Sequence, residues 1–361
     1  MNILMVWARF LPEMGGIETH IHEVSRRLIE NGHSITVLAT DRSGMFPKHE
    51  IVHGIEIIRV AAHPKSKDWY FSPGVFREIW RRRWDVIHVQ GYHTFVPLFA
   101  MLSSLLSRQR YVLTFHSGGH SSPFRVSLRR LQWALLAPLV KRASALVGVS
   151  RSEIEQFSHG MGIPRDRFRL IRNGAQSLHA IAESVPENPN LIISMGRLER
   201  YKGHHRVIAA MPEILRQRPQ TRLHVIGGGP CEEELKQLVD RLGLGHAVQI
   251  FAWDPTDRLG LAKQVASCGL FVLLSDYEAH PVAVMEALGL GRKVLTTDNS
   301  GFTELAELGW ITTIPEHSDA KQVAKAIMDR LDASRSRAVT LPSWDDATSA
   351  ILRLYSDVIG R

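Results

Sequence analysis

Two carboxylates, Glu278 and Glu286, stand with seven residues between them in the stretch Leu273-Leu-Ser-Asp-Tyr-Glu-Ala-His-Pro-Val-Ala-Val-Met-Glu-Ala-Leu288. The stretch opens as a short apolar strand over 270–274 and turns through a polar loop, 275–280. It enters a helix at Pro281, where the missing N–H of proline would have had no partner. That places Glu278 on the loop and Glu286 inside the first turns of the helix. Both can then line one crevice at the carboxyl end of a parallel strand, where open α/β sheets hold ligands. The helix N-terminus offers unpaired N–H groups and positive dipole to a phosphate. Taken alone, the plainer reading is a loop carboxylate and a solvated helix residue.

Other residues add to the pair. In Gly196-Arg-Leu-Glu-Arg-Tyr-Lys-Gly203, Arg197 and Lys202 follow a strand and precede a helix, so both cations and the helix N-terminus can converge on a pyrophosphate. Preplaced cations there would lower the barrier to departure of a phosphate leaving group. His116 ends the strand 111–115, with His120 a weaker candidate further along the same loop. Gly15-Gly16 lies where the first strand gives way to a helix, and glycine lets backbone approach an anion closely. Gly227-Gly228-Gly229 could let a nucleotide lie against backbone, although it does not fit the GxGxxG dinucleotide fingerprint.

Glu-x7-Glu, Gly-Arg-x4-Lys-Gly and Gly-Gly-Ile-Glu together resemble the motifs of retaining glycosyltransferases of family 4, which have the GT-B fold, and the resemblance runs over nearly the whole chain. It implies two Rossmann-like α/β domains facing across a cleft. It implies a donor UDP- or GDP-sugar, with no metal and no other cofactor. Glu286 would bind the ribose hydroxyls, and Glu278 would lie near the transferred sugar. The backbone over 279–282, including His280, Pro281 and Val282, would hold sugar hydroxyls and phosphate. Gly16, Gly196, Arg197, Lys202 and Gly228 would border the nucleotide and its phosphates, and His116 would approach the donor sugar. The chain departs from the family pattern in two places. It reads Glu-Ala-His-Pro where many relatives have a Gly-Phe-Gly type of segment. It also reads Arg172-Asn-Gly174 where they have Pro-Asn-Gly, which we take as a turn near the hinge. No Asp-x-Asp pair stands at a strand end, so Arg197, Lys202 and helix dipoles would take the place of a divalent ion.

The elements that must position these residues follow from pattern and length. A chain of 361 residues, 44% hydrophobic and 22% charged, suggests two soluble domains of ordinary size. Strands over 2–6, 34–39, 55–60, 86–90, 111–115, 145–149 and 168–171 alternate with helical stretches, which implies a doubly wound parallel sheet. Ser150 with Glu153 forms a capping-box pattern at one helix start. A Pro-rich, aperiodic linker spans 178–190. The pattern then restarts with strands over 191–195, 222–226, 248–251, 270–274, 293–296 and 310–314. The domains are expected at 1–177, for the acceptor, and 188–342, for the nucleotide sugar. A last amphipathic helix over 343–361 either returns to the first domain or stays with the second.

Cys231 and Cys268 cannot build a disulfide framework, and the first residues lack a signal-peptide pattern, so a cytoplasmic setting is the simplest fit. The net charge of +8 is uneven. Residues 1–180 hold 24 Lys/Arg against 13 Asp/Glu, and 69–142 hold 11 against 2. A basic surface with Trp80, Trp84 and Trp133 would suit anionic headgroups on the inner face of the cell membrane and a lipid-linked glycan acceptor; a solvated basic face is the alternative. No nucleic-acid-binding pattern accompanies the charge. The expected activity is hexosyl transfer in surface polysaccharide or glycolipid synthesis. A nucleotide-sugar epimerase of the same fold and a transferase with a soluble acceptor are the rivals, with a non-enzymatic membrane partner a third.

Overall fold

A computed structural model of the chain describes residues 1–65, 69–116, 129–175, 179–254, 257–278, 281–334, 339 and 341–360. They form two compact units. The first takes in the described residues of 1–117, 124–174 and 344–361, and the second those of 175–343.

The first unit carries an eight-stranded sheet: β1 (Asn2–Val6), β2 (Ser34–Asp41), β3 (His49–Val52), β4 (Ile55–Ala61), β5 (Val86–Gln90), β6 (Tyr111–Thr114), β7 (Ala145–Gly148) and β8 (Phe168–Leu170). Their order is β3-β4-β2-β1-β5-β6-β7-β8, and all neighbours are parallel except β3 against β4. The central strands are buried throughout, as expected of a parallel sheet covered on both faces. Sequence order reverses between β1 and β5, so the crevice beyond their carboxyl ends is where such a sheet takes ligand.

The second unit carries β9 (Asn188–Met195), β10 (Arg222–Ile226), β11 (Val248–Phe251), β12 (Cys268–Leu273), β13 (Val294–Thr297) and β14 (Thr312–Ile314), all parallel, in the order β11-β10-β9-β12-β13-β14. Alternate residues feed two cores. Ile192, Leu270 and Val272 join one, while Leu191, Ile193, Met195, Phe271 and Leu273 join the other. The switch point here lies between β9 and β12.

Three differences from the sequence reading have physical reasons. β3 is a short antiparallel edge strand with little burial, so it carries no apolar run. The helix Phe95–Leu106 is apolar nearly all round and carries Pro97 in its first turn, where proline is tolerated, so it shows no amphipathic period. The expected linker is in part structured, since the helix His179–Ser184 and the first residues of β9 fall within it. The membrane reading also needs correction: Trp84 and Trp133 are core residues, and of the three tryptophans only Trp80, 57% exposed, reaches the surface. Among the described residues no helix is long and apolar enough to cross a membrane.

The last helix, Trp344–Ile359, packs in the first unit, against the helix Gly16–Glu30 and β5. It buries Trp344, Ala347, Ile351, Leu354, Tyr355 and Val358. Tyr355 Oη lies 2.5 Å from His88 Nδ1, and His88 Nε2 lies 2.7 Å from Thr114 Oγ1. Burial, then nearby His20, lowers the His88 pKa to about 3, so a neutral imidazole links the two hydroxyls. Arg27 Nε donates to Asp345 at 2.6 Å on the rim. Ile351→Ala should therefore destabilise the first unit by about 2–5 kcal/mol. Urea unfolding should show this as a lower midpoint at unchanged slope, and a midpoint equal to wild type would mean that the helix is not part of that core.

Candidate active site

The second unit builds its site from the two loops that leave the switch point. β9 delivers Gly196, Arg197, Leu198 and Glu199, then a single 3₁₀ turn, Arg200–Lys202, and Gly203, before the helix His204–Gln217. β12 delivers residues 274–278, and the helix Val282–Gly289 begins after Pro281. The loops are held edge to edge. Asp276 N–H donates to the Tyr201 carbonyl at 2.8 Å. Gly203 has φ +75°, and a Cβ on it would lie 2.0 Å from the Leu274 carbonyl oxygen, so only glycine fits.

Across this seam Lys202 Nζ meets Glu278 Oε1 at 2.5 Å, with the two side chains only 16% and 9% exposed. Ser275 Oγ donates to the same oxygen at 2.8 Å. Burial, the largest influence on Lys202, disfavours its charge, but the Glu278 carboxylate and the Tyr201 hydroxyl outweigh it and its pKa ends above the ordinary lysine value. Arg197 lies near enough to repel Lys202, and it pairs with Glu199 at 3.1 Å. The β13 side closes the loop from below. Asn299 Nδ2 donates to the Ser275 carbonyl at 2.7 Å, as does the Thr297 hydroxyl, and a Cβ on Gly301 would lie 1.9 Å from the Glu278 carbonyl oxygen.

Glu286 is the fifth residue of its helix and pairs with Arg258 of the neighbouring helix Arg258–Ala266. Pro281 is the N-cap, so the helix begins one residue later than the sequence suggests. Neither Pro281 nor Gly203 supplies a side-chain cap, whereas Asn299 caps the next helix, Ser300–Glu307. Two helix N-termini beside the Lys202–Glu278 pair thus keep N–H groups that no cap side chain occupies. Val282 opens the second of them. Gly196 and Gly227 have φ +155° and +152°, and a Cβ on Gly227 would strike the Gly196 carbonyl oxygen. Gly228 has open space around its Cα, and its carbonyl accepts from Leu198 N–H at 3.0 Å. His280 lies outside the described residues, as does His120. Among the described residues no three His, Cys, Asp or Glu side chains gather as ligands for a metal ion.

The first unit gathers polar groups at its own switch point. His116 follows β6 with φ +45°, is buried, and places Nε2 2.8 Å from Gln90 Oε1 at the end of β5. Its ring meets His20 edge-on, with centroids 4.6 Å apart. His20 Nδ1 lies 2.9 Å from Asn173 Oδ1, so the Arg172-Asn-Gly turn does more than turn: its asparagine fixes a histidine of the first helix. Burial, opposed by the Asn173 hydrogen bond, lowers the His20 pKa to about 4. Gly16 begins the first helix, and the buried Glu18 carboxylate folds back beneath Gly15, held by Trp7 Nε1 at 3.0 Å and Arg9 at 3.1 Å.

Sequence reasoning did not single out Ser275, Tyr201, Arg258, Thr297, Asn299 or Gly301. The Ser-x-x-Glu spacing of Ser275 and Glu278 is the one local signal among them. Tyr201 sits inside the Gly196–Gly203 motif without a signal of its own, and Arg258, Thr297, Asn299 and Gly301 come from other segments that the strand order brings to the site.

Both halves of the chain match known families. Residues 14–176 match the model described as Glycosyltransferase Family 4, and residues 178–340 match that of Glycosyl transferases group 1. The chain is similar to a glycogen synthase of Mycobacterium tuberculosis, 26% identical over 98% of this chain and 94% of that one. It is also similar to the GDP-mannose:cellobiosyl-diphosphopolyprenol alpha-mannosyltransferase of Xanthomonas oryzae, 25% identical over 100% and 98%. Among solved structures, Anabaena HepE in complex with UDP and glucose superposes with a TM-score of 0.72 at 18% identity, over 99% of both chains.

His204 supplies a pH test of the site's scaffold. It is buried, with Nδ1 2.8 Å from Ser194 Oγ. Burial first, then the Lys202 cation, lowers its pKa to about 4. An unfolded histidine takes its proton near pH 6.5, and folded His204 takes it only near pH 4. The unfolded state thus binds more protons across that window, and stability should fall as pH drops from 6.5 towards 4, by about 1.4 kcal/mol per pH unit for one such group. His204→Gln should make the slope of second-unit stability against pH shallower by about one proton; an unchanged slope would contradict the assignment.

Proposed function

The chain belongs to glycosyltransferase family 4 with the GT-B fold, and we propose that it moves a hexose, with retention of anomeric configuration and without a metal ion, from a UDP- or GDP-sugar to a lipid-linked glycan. The observation that carries this reading is the seam at the second switch point. A buried lysine paired with Glu278, a second cation on the same loop and two uncapped helix N-termini come from the two loops that meet there, and Glu286 lies on the second of those helices. That is a receptor for a diphosphate with a hydroxyl-rich group at each end.

In this reading Lys202 and Arg197 take the phosphates, with the backbone at Gly196 and Gly228 close by. Glu286 accepts the ribose hydroxyls, and Arg258 is the partner it then shares. Glu278 lies near the transferred sugar, the backbone over 279–282 holds sugar hydroxyls and phosphate, and His116 is the candidate that the first unit contributes to the chemistry. An acceptor hydroxyl attacks the anomeric carbon on the face from which the phosphate departs. The new C–O bond forms as the bond to phosphate breaks, and the hydroxyl proton passes to the departing phosphate oxygen. Lys202 and Arg197 offset the charge that builds there. The nucleotide-sugar donor is supported by HepE, whose structure contains UDP and glucose, and by the GDP-mannose of the Xanthomonas relative's name. The latter also supports an acceptor carried on a diphosphopolyprenol. Such an acceptor places the enzyme on the inner face of the cell membrane, in polysaccharide or glycolipid synthesis.

A panel of UDP- and GDP-sugars tests the reading. One of them should bind in calorimetry and be slowly hydrolysed. Glu286→Ala and Lys202→Ala should each weaken that binding at least tenfold, about 1.4 kcal/mol. Interconversion of the donor without any acceptor, seen by NMR, would make the protein an epimerase. Absence of binding to every donor would remove the enzymatic reading.

A further inference from the structure

The first unit carries an exposed aromatic band that no step of sugar transfer uses. Trp69 and Phe71 lie between β4 and the helix Gly74–Trp80, and they are 47% and 45% exposed. Phe95, 39% exposed, starts the helix Phe95–Leu106, and its N–H donates to the Trp69 carbonyl at 3.2 Å. The Phe71 ring meets Phe95 at 6.0 Å and Phe99 at 5.2 Å, both edge-on, and Phe99 meets Phe76 at 5.7 Å. At the far end Trp80 donates Nε1 to the Ser103 carbonyl at 3.2 Å, which satisfies its only polar atom and leaves the ring outward. The two helices pack along one another. The band therefore runs along the longer one from Phe95 to Ser103, about 12 Å of helix. Scattered exposed aromatics are ordinary, but a connected row of them marks a contact surface.

Charge chooses the partner. Residues 69–116 hold six arginines and two acidic residues, a balance of +4 (6 − 2). One of the acids, Glu78, is buried and shared by Arg77 at 3.4 Å and Arg81 at 3.2 Å. Arg77 and Arg81 themselves stand well exposed beside Trp80. Rings with satisfied polar atoms, rimmed by cations, fit the headgroup layer of an anionic bilayer.

We propose that this band, from Trp69 to Trp80 with Arg77 and Arg81 at its edge, is the face by which the enzyme lies on an anionic lipid surface. The proposal deepens the membrane part of the function above and rests on it. The full-length protein would be sedimented with phosphatidylcholine vesicles with and without phosphatidylglycerol. Binding is expected only with phosphatidylglycerol and should weaken as salt rises. The variants Phe71→Ser/Phe95→Ser and Arg77→Gln/Arg81→Gln should each lose about tenfold or more in vesicle affinity. Both should keep wild-type donor binding and the wild-type urea-unfolding midpoint of the first unit, the second readout guarding against misfolding of the altered unit. No sedimentation with anionic vesicles, or sedimentation equal in both variants, would overturn the proposal. So would quenching of tryptophan fluorescence by a soluble oligosaccharide that is lost in Phe71→Ser/Phe95→Ser, since the band would then be a glycan platform. A wild-type enzyme that transfers sugar but does not sediment would sink the docking face alone. One that sediments but transfers nothing to lipid-linked glycans would sink the acceptor reading alone.

Discussion

The pairing of Lys202 with Glu278 is the interaction on which the second unit's site depends. Each residue comes from a loop that leaves the sheet on one side of the switch point, and the pair closes the seam between those loops. Taking two charges out of water is costly, and their attraction repays that cost only when geometry and further hydrogen bonds are good. Ser275, Tyr201 and the packing of Gly203 and Gly301 supply that geometry. In the proposed reading the buried lysine shares with a phosphate the charge that Glu278 holds alone in this structure. Glu286 is paired in turn with Arg258.

Much of this was legible in the amino-acid order because strand, loop and helix starts are local events. β9 with its Gly-Arg-x4-Lys-Gly loop, and β12 with its Glu-x7-Glu, declare themselves by an apolar run that stops at a charge or a glycine. The doubly wound parallel sheets followed from the alternation of such units, and the GT-B fold from the resemblance that the motifs carry. What stayed hidden depends on contacts across sequence. Asn299 and Gly301 matter because β13 lies beside β12, and Arg258 matters because its helix packs on that of Glu286. Nothing within either short segment says so. The helix Phe95–Leu106 was hidden for a different reason. Its composition is so uniformly apolar that the 3.6-residue period, on which such a reading rests, has no contrast to show. Tryptophan identity alone also misled the surface reading, since Trp84 and Trp133 serve the core while the exposed rings include two phenylalanines.

The two units use the same device differently. In the second, charged side chains dominate the switch point. In the first, buried histidines do: His116 leans on His20, and His20 is held by Asn173. The low pKa that burial gives His20 keeps that imidazole uncharged at neutral pH. A surface built from neutral hydrogen-bonding groups suits hydroxyl-bearing acceptors, whereas cations and helix ends suit a diphosphate.

The central claim is that one diphosphate bridges the cations of the β9 loop and the start of the helix after β12. A crystal structure of the full chain with UDP or GDP bound tests it most directly. The account predicts a phosphate oxygen about 3 Å from Lys202 Nζ, and ribose hydroxyls at a similar distance from the Glu286 carboxylate. A nucleotide seated elsewhere, with Lys202 still committed to Glu278 alone, would contradict it.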